Sequence, residues 1–161
     1  MLREARCPVV LDADGLNVLE GAADALKARR APTVLTPHDG EFRRLGGAVG
    51  PDRMASAAAL AQTLGAVVLL KGHRTVVTDG TRGYENRTGN PGMATGGSGD
   101  VLTGLLTGLL AQGMEPFDAC CAAVWLHGRA GDLAARDVGL WGMTPSDLLD
   151  RIPAALREVT E

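Results

Sequence analysis

Residues 96–100 read Gly-Gly-Ser-Gly-Asp, and leucines at helical spacing follow at once in "GGSGDVLTGLLTGLL". Leu102, Leu105, Leu106, Leu109 and Leu110 fall on one helical face, so Gly96, Gly97 and Gly99 stand where that helix begins. Free backbone N–H groups and the positive end of the helix dipole favour an anion such as phosphate there. Glycine alone lets the anion come close to the backbone, which justifies its entropic cost. The amides of Gly97, Ser98 and Gly99 are therefore candidates for holding a phosphate. Asp100 brings a like charge to the same place. An acid in a first helical turn is favoured by the dipole. Beside a transferable phosphate, an ionised carboxylate is what a general base for a substrate hydroxyl requires. Taken alone, Asp100 is equally well read as a plain helix-start carboxylate; the glycines before it favour chemistry.

Three further polar clusters follow apolar runs. "DADGLN" supplies Asp12, Asp14 and Asn17; "PHDGE" supplies His38, Asp39 and Glu41; "KGHRT" supplies Lys71, Gly72, His73, Arg74 and Thr75. If the apolar runs are parallel strands, all three clusters lie beyond carboxyl ends, where open α/β sheets bind ligands. Asp12 and Asp14 also read as caps of the next helix, nearly as readily as metal or phosphate contacts. On its own, His38 is a turn residue, and Lys71 is a strand-end side chain reaching solvent. His127, in "WLHGRAG", lies on the helical face of Ala123 and Ala130 and reads as a packing or interface histidine. No P-loop is present. Gly97-Ser98-Gly99 is followed by Leu102 where a dinucleotide fingerprint needs its third glycine.

The elements that must position these residues alternate. Residues 8–12, 33–36 and 66–71 are short β-branched or leucine-rich runs, as buried parallel strands are. Residues 73–80 end in an Asp-Gly turn and form a hairpin with 83–86. Residues 21–30 and 51–65 are rich in helix formers. Helices are expected over 100–112, 116–136 and 145–158, the last opened by Thr144, Pro145 and Asp147. Pro153 should kink or interrupt that last helix. Gly104 and Gly108, one turn apart, should let their helix pack closely against a neighbour. The pattern is an α/β fold with a mainly parallel central sheet flanked by helices.

Composition narrows the partners. With 161 residues, 45% hydrophobic and only 3% aromatic, the chain is one domain with a core of Ala, Val and Leu. A net charge of −3 without basic runs, together with so few aromatics, argues against nucleic acid. No apolar run approaches the roughly 20 residues of a membrane span. Cys7, Cys120 and Cys121 form no CxxC motif; they read as reduced thiols in a cytoplasmic protein, with the pair in a helix core.

"NRTGNPGMATGGSGDVLTG" closely resembles the signature of the ADP-dependent NAD(P)H-hydrate dehydratases, nicotinamide-nucleotide repair enzymes of the ribokinase-like fold. "VLDADGLN", "LTPHDGEFRRL", "LLKGHRTVV" and "HGRAGDLAARDVGLWGMTPSDLLDRIPAAL" agree in order, so the resemblance spans Pro8 to about Leu156. It implies ADP, or ATP in some branches, as co-substrate with Mg2+. It implies that His38 and Asp100 contact the hydrated nucleotide, and that Lys71, Gly72, His73, Arg74, Thr75 and Gly99 hold the adenine nucleotide. The family carries small residues where His73 and Arg74 stand here. The resemblance further implies a cytoplasmic homo-oligomer such as a tetramer. Residues 1–161 then form a single partial domain, lacking the N-terminal part of the family domain. Two other readings share the anion hole: a ribokinase-like small-molecule kinase, and a non-catalytic nucleotide-binding module.

Overall fold

The computed structural model describes every residue but Met1, Arg3 and Glu161. Five strands form one sheet in chain order: β1 (Val9–Leu11), β2 (Thr33–Leu35), β3 (Val67–Leu70), β4 (Val76–Thr78) and β5 (Gly83–Glu85). The first three are parallel, and β4 and β5 return as antiparallel neighbours of β3. Alternation along the strands builds two cores. Leu35, Val68, Leu70 and Val76 face the side of α1 (Asp14–Asn17), α2 (Asp39–Arg44) and α3 (Arg53–Leu64). Val34, Val67, Leu69 and Val77 face the other side, against α4 (Ser98–Ala111) and α5 (Pro116–Gly142). The last helix, α6 (Pro145–Thr160), lies on α5. The sheet is therefore mainly parallel and covered on both faces, as the alternating pattern requires. The ends of β1, β2 and β3 consequently open on one edge.

The chain departs from the sequence expectations in four places, each for a physical reason. The helix expected over 21–30 is a single 3-10 turn, Ala23–Leu26, in which only Leu26 is buried. With one buried anchor, burial does not repay helix nucleation. Conversely, two short helices that periodicity did not show, α1 and α2, close directly on the strand ends. Pro153 does not interrupt α6. Arg151–Asp137 at 2.6 Å and Arg129–Glu158 at 2.6 Å tie α6 to α5 on both sides of the proline, and Leu148 and Ala155 are buried there. Finally, a Cβ at Gly104 or Gly108 would meet nothing within 4 Å, so among the described residues no neighbour packs against them.

Close approach occurs instead on α5. A Cβ at Gly128 would lie 2.3 Å from Thr88 Oγ1 and 2.7 Å from the Thr88 backbone, and one at Gly131 would lie 2.3 Å from Met93 Sδ. The loop from β5 to α4 is laced onto the same helix. Asn86 Nδ2 donates to the Val124 carbonyl at 3.1 Å, and Thr88 Oγ1 donates to that of Trp125 at 2.9 Å. Asp132 accepts from the Gly89 amide at 3.0 Å and from Asn90 Nδ2 at 3.1 Å. Cys120 and Cys121 lie on α5, and burial pushes the Cys121 thiol up to about 11 and that of Cys120 higher still.

These contacts separate the glycines by role. Gly128→Ala should destabilise by about 1–3 kcal/mol through overpacking against backbone. Gly108→Ala, on open helix surface, should stabilise by about 0.5–1 kcal/mol. Urea unfolding of the two variants would check both signs.

Candidate active site

The edge at the ends of β1, β2 and β3 gathers charged groups around Lys71. Its ammonium lies 2.6 Å from Asp12 Oδ1 and 4.0 Å from Glu41 Oε2. Thr103 Oγ1 of α4 donates to Asp12 Oδ2 at 3.0 Å. Burial raises the Asp12 pKa, but the Lys71 hydrogen bond and charge outweigh it with help from Thr103 and Thr36, and the carboxyl ends below its ordinary value. Asp12 caps nothing: the N-cap of α1 is Ala13, and no side chain caps it. Asp14 lies within the first turn and accepts from Asn17 Nδ2 at 3.1 Å. Of the two acids that sequence left open between cap and site, only Asp12 faces the cluster.

His38 is the N-cap of α2. Its Nδ1 accepts from the Gly40 amide at 2.9 Å and the Glu41 amide at 3.2 Å. Glu41 Oε2 accepts from the His38 amide at 2.8 Å, completing a capping box. With Nδ1 accepting, the neutral ring carries its proton on Nε2, which lies 3.5 Å from Glu41 Oε1; the His38 side chain is 55% exposed. Glu41 is itself buried, so it joins the His38 turn to Lys71. The "PHDGE" spacing carries that capping signal, with an acid three residues after its cap.

Gly97 takes φ 92° and caps α4 with its backbone alone. A Cβ on Gly99 would meet Asp12 Oδ2 and Lys71 Nζ, each at 3.7 Å, so the glycine turn abuts the ion pair. The Ser98 amide donates to the Thr95 carbonyl at 3.3 Å and that of Asp100 to the Gly97 carbonyl at 3.1 Å. The Gly97 and Gly99 amides donate to no described residue. Asp100 is exposed, and its carboxylate makes no hydrogen bond or ion pair to the described residues. It borders an open groove of about 360 Å3 with Val101, Gly104, Leu105, Leu149 and Ile152. A larger cavity of about 520 Å3, between the α2–α3 loop and α3, contains none of the candidate residues.

After Lys71 the chain turns back on itself. Thr75 Oγ1 donates to the Gly72 carbonyl at 3.0 Å and accepts from the Gly72 amide at 3.3 Å. His73 and Arg74 are exposed; Arg74 takes φ 55° and pairs with Glu85 at 3.4 Å. The structure thus gathers Lys71, Gly99 and the His38 turn with Asp12 and Glu41 of the same polar clusters, and adds Thr103. It leaves the His73 and Arg74 side chains outward on the hairpin.

His127, expected as a packing or interface histidine, packs between α5 and α4; its partner there, Ser98, had no signal in the sequence. The histidine is buried, and its Nε2 donates to the Ser98 carbonyl at 2.9 Å, with Ser98 Oγ at 3.3 Å. It therefore pins the first turn of α4 to α5. Burial lowers its pKa to about 4, against the opposing effect of the hydrogen bond it donates to the Ser98 carbonyl. The unfolded chain takes up this proton near pH 6.5, whereas the folded chain resists it until about 4. Stability from this group is complete above pH 6.5 and should decline as pH falls to about 4, by on the order of 3 kcal/mol. Asp12 adds its own loss only below its ordinary 3.8. Urea titrations across this range should show the slope, and His127→Gln should flatten it.

The family described as NAD(P)H-hydrate dehydratase, Carb_kinase, matches residues 1–154. The bifunctional NAD(P)H-hydrate repair enzyme Nnr of Moorella thermoacetica is 48% identical over 167 aligned residues, covering 100% of this chain and 31% of that protein. The crystal structure of the ADP/ATP-dependent NAD(P)H-hydrate dehydratase of Bacillus subtilis, co-crystallised with ATP and Mg2+, superposes with a TM-score of 0.83 at 34% identity. That match covers 98% of this chain and 57% of the Bacillus chain. A ribokinase-like superfamily protein of Enterococcus faecalis gives a TM-score of 0.73 at 26% identity, over 98% of this chain and 64% of its own. The fold is ribokinase-like, and the chain spans about a third of one relative and just over half of the other's solved chain. With the glycine turn against its ion pair and a family match along nearly its whole length, this chain belongs to the Carb_kinase family of NAD(P)H-hydrate dehydratases.

Proposed function

We propose that this chain takes part in the ADP-dependent dehydration of hydrated NADH or NADPH, as one partial domain of a ribokinase-like enzyme. The observation that carries this reading is the unpaired glycine amides of the α4 N-terminus beside Lys71, with Asp100 one residue further on. Lys71, Gly72, His73, Arg74 and Thr75 would hold the adenine nucleotide, with Gly97, Ser98 and Gly99 at its phosphates. His38 and Asp100 would meet the hydrated ring. Because the Ser98 amide already bonds Thr95, the Gly97 and Gly99 amides are the stronger donors of the three.

In this scheme the ring hydroxyl attacks the terminal phosphorus of ADP while Asp100 takes its proton. The bond to AMP breaks, and the amides stabilise charge on the transferring phosphate. The ring nitrogen then expels phosphate, a better leaving group than hydroxide. Loss of a proton from the neighbouring carbon restores the dihydronicotinamide, leaving AMP and phosphate. Mg2+ would enter with the nucleotide and offset phosphate charge. Among the described residues no group of three His, Cys, Asp or Glu could hold a metal, so the donors would be mainly phosphate and water.

The acidic, aromatic-poor composition supports small-molecule partners rather than nucleic acid. Among the described residues no helix is long and apolar enough to cross a membrane, which is compatible with a cytoplasmic setting. Exposed Val138, Leu140, Trp141 and Leu149 support a homo-oligomer, with a tetramer as the family-based expectation.

Turnover decides the reading. Purified chain with NADPH-hydrate, Mg2+ and ADP should restore dihydronicotinamide absorbance, and Asp100→Asn should slow this by about 100-fold or more. A stable phosphorylated product would instead indicate a kinase. ADP binding without turnover would indicate a nucleotide-binding module that needs the rest of a longer enzyme.

A further inference from the structure

Arg53 is out of place by local rules. It is the first residue of α3, where the helix dipole disfavours a cation, and Asp52 already caps that helix by accepting from the Ala55 amide at 2.9 Å. Nothing in α3 itself calls for it. Its guanidinium instead reaches the start of α2 and the end of β3. Nη1 donates to Asp39 Oδ1 at 2.8 Å, and Nη2 donates to the Lys71 carbonyl at 2.9 Å. The side chain is 26% exposed, and its Nε is buried without a partner, so holding this place costs hydration. Gly72 makes room for it: a Cβ there would lie 2.9 Å from Nη2.

Asp39 directly follows His38 and opens α2; the Lys71 carbonyl opens the turn to Thr75. The Lys71 side chain meanwhile reaches toward Glu41, in the same helix as Asp39. The α2 start and the Lys71–Thr75 turn are thus joined twice, once through the lysine ammonium and once through the arginine fork. We infer that Arg53 is a positioning residue that locks the His38–Glu41 turn to the Lys71–Thr75 turn, so that neither half of the site can rearrange alone. A planar, fixed fork suits this task, and a lysine cannot span both acceptors in that geometry.

The consequence for ligands rests on the function proposed above: nucleotide held at Lys71–Thr75 should sense a change at Asp39, which lies on the other turn. The lock itself can be tested without ligand. Hydrogen–deuterium exchange on the free chain should show amides of residues 38–41 and 71–75 exchanging about tenfold faster together in Arg53→Met, while Val67–Leu70 keep their protection. Arg53→Lys should fall between. Asp39→Asn, which leaves the bond to Lys71 in place, gives a second variant should Arg53→Met not fold. It should still loosen residues 71–75. Faster exchange confined to the mutated residue's own turn, or none, would overturn the lock.

Calorimetry with ADP and Mg2+ supplies the second arm. Arg53→Met and Asp39→Asn should each weaken binding by about tenfold, and the double variant should bind no more weakly than Arg53→Met. Losses that simply multiply, or affinities within twofold of wild type, would overturn the inference. A wild-type chain that binds no ADP would refute the nucleotide reading alone, because exchange still decides the lock.

Discussion

The ion pair between Asp12 and Lys71 reaches across the sheet. β1 and β3 are not neighbours, since β2 lies between them, and adjacent strands are about 4.8 Å apart. Only a long side chain leaving one strand end can meet a carboxylate at the other, and the lysine does so at 2.6 Å. Both partners are largely buried, at 23% and 12% exposure, so each is costly without the other. Thr103 on α4 donates to the same carboxylate, and Thr36 at the end of β2 donates to the Leu11 carbonyl just before it at 3.2 Å. One contact thereby sets the spacing of three strand ends and the height of α4 above them. The glycine turn lies directly against the pair, a Cβ at Gly99 falling at ordinary contact distance, 3.7 Å, from both charged groups.

A second constraint acts from the far side of α4. The loop from Asn86 to Gly97 has little regular structure beyond a 3-10 turn at Pro91–Met93, and its shape is imposed by α5. Asp132, His127 and the carbonyls of Val124 and Trp125 supply partners, while Gly128 and Gly131 supply room. This accounts for two glycines and a histidine within one apolar helix, where propensity alone would favour alanine. The motif on α5 and the motif before α4 are two sides of one packed interface. His127 serves it through a single neutral N–H, which is why burial rather than charge governs its titration.

Much of this was legible along the chain. Short β-branched or leucine-rich runs marked β1 to β3, an Asp-Gly turn marked the β4–β5 hairpin, and leucine spacing marked α4 with its buried Leu102, Leu106 and Leu110. The convergence of the three polar clusters followed from parallel strands, because carboxyl ends must then share an edge. Other features were illegible for identifiable reasons. Residues 21–30 have helix-forming composition but only one buried anchor, and composition does not count contacts. Pro153 looked like a break because the ion pairs that hold α6 across it come from residues far back in the chain. Arg53 carried no signal along the chain, since both its acceptors belong to other segments.

The division follows the range of the interactions. Strand and helix type, the glycine-framed start of α4, the capping of α2 by His38, and family membership all depend on spacings of a few residues, and these are written in the order of side chains. Which of Asp12 and Asp14 enters the site, what Lys71 pairs with, and what His127 and Arg53 hold depend on residues that meet across tens of positions. Asp12 and Thr103 are 91 residues apart, yet bond at 3.0 Å. Such pairings arise only when two faces of one sheet are packed at once, so folding had to bring them together before they could be seen.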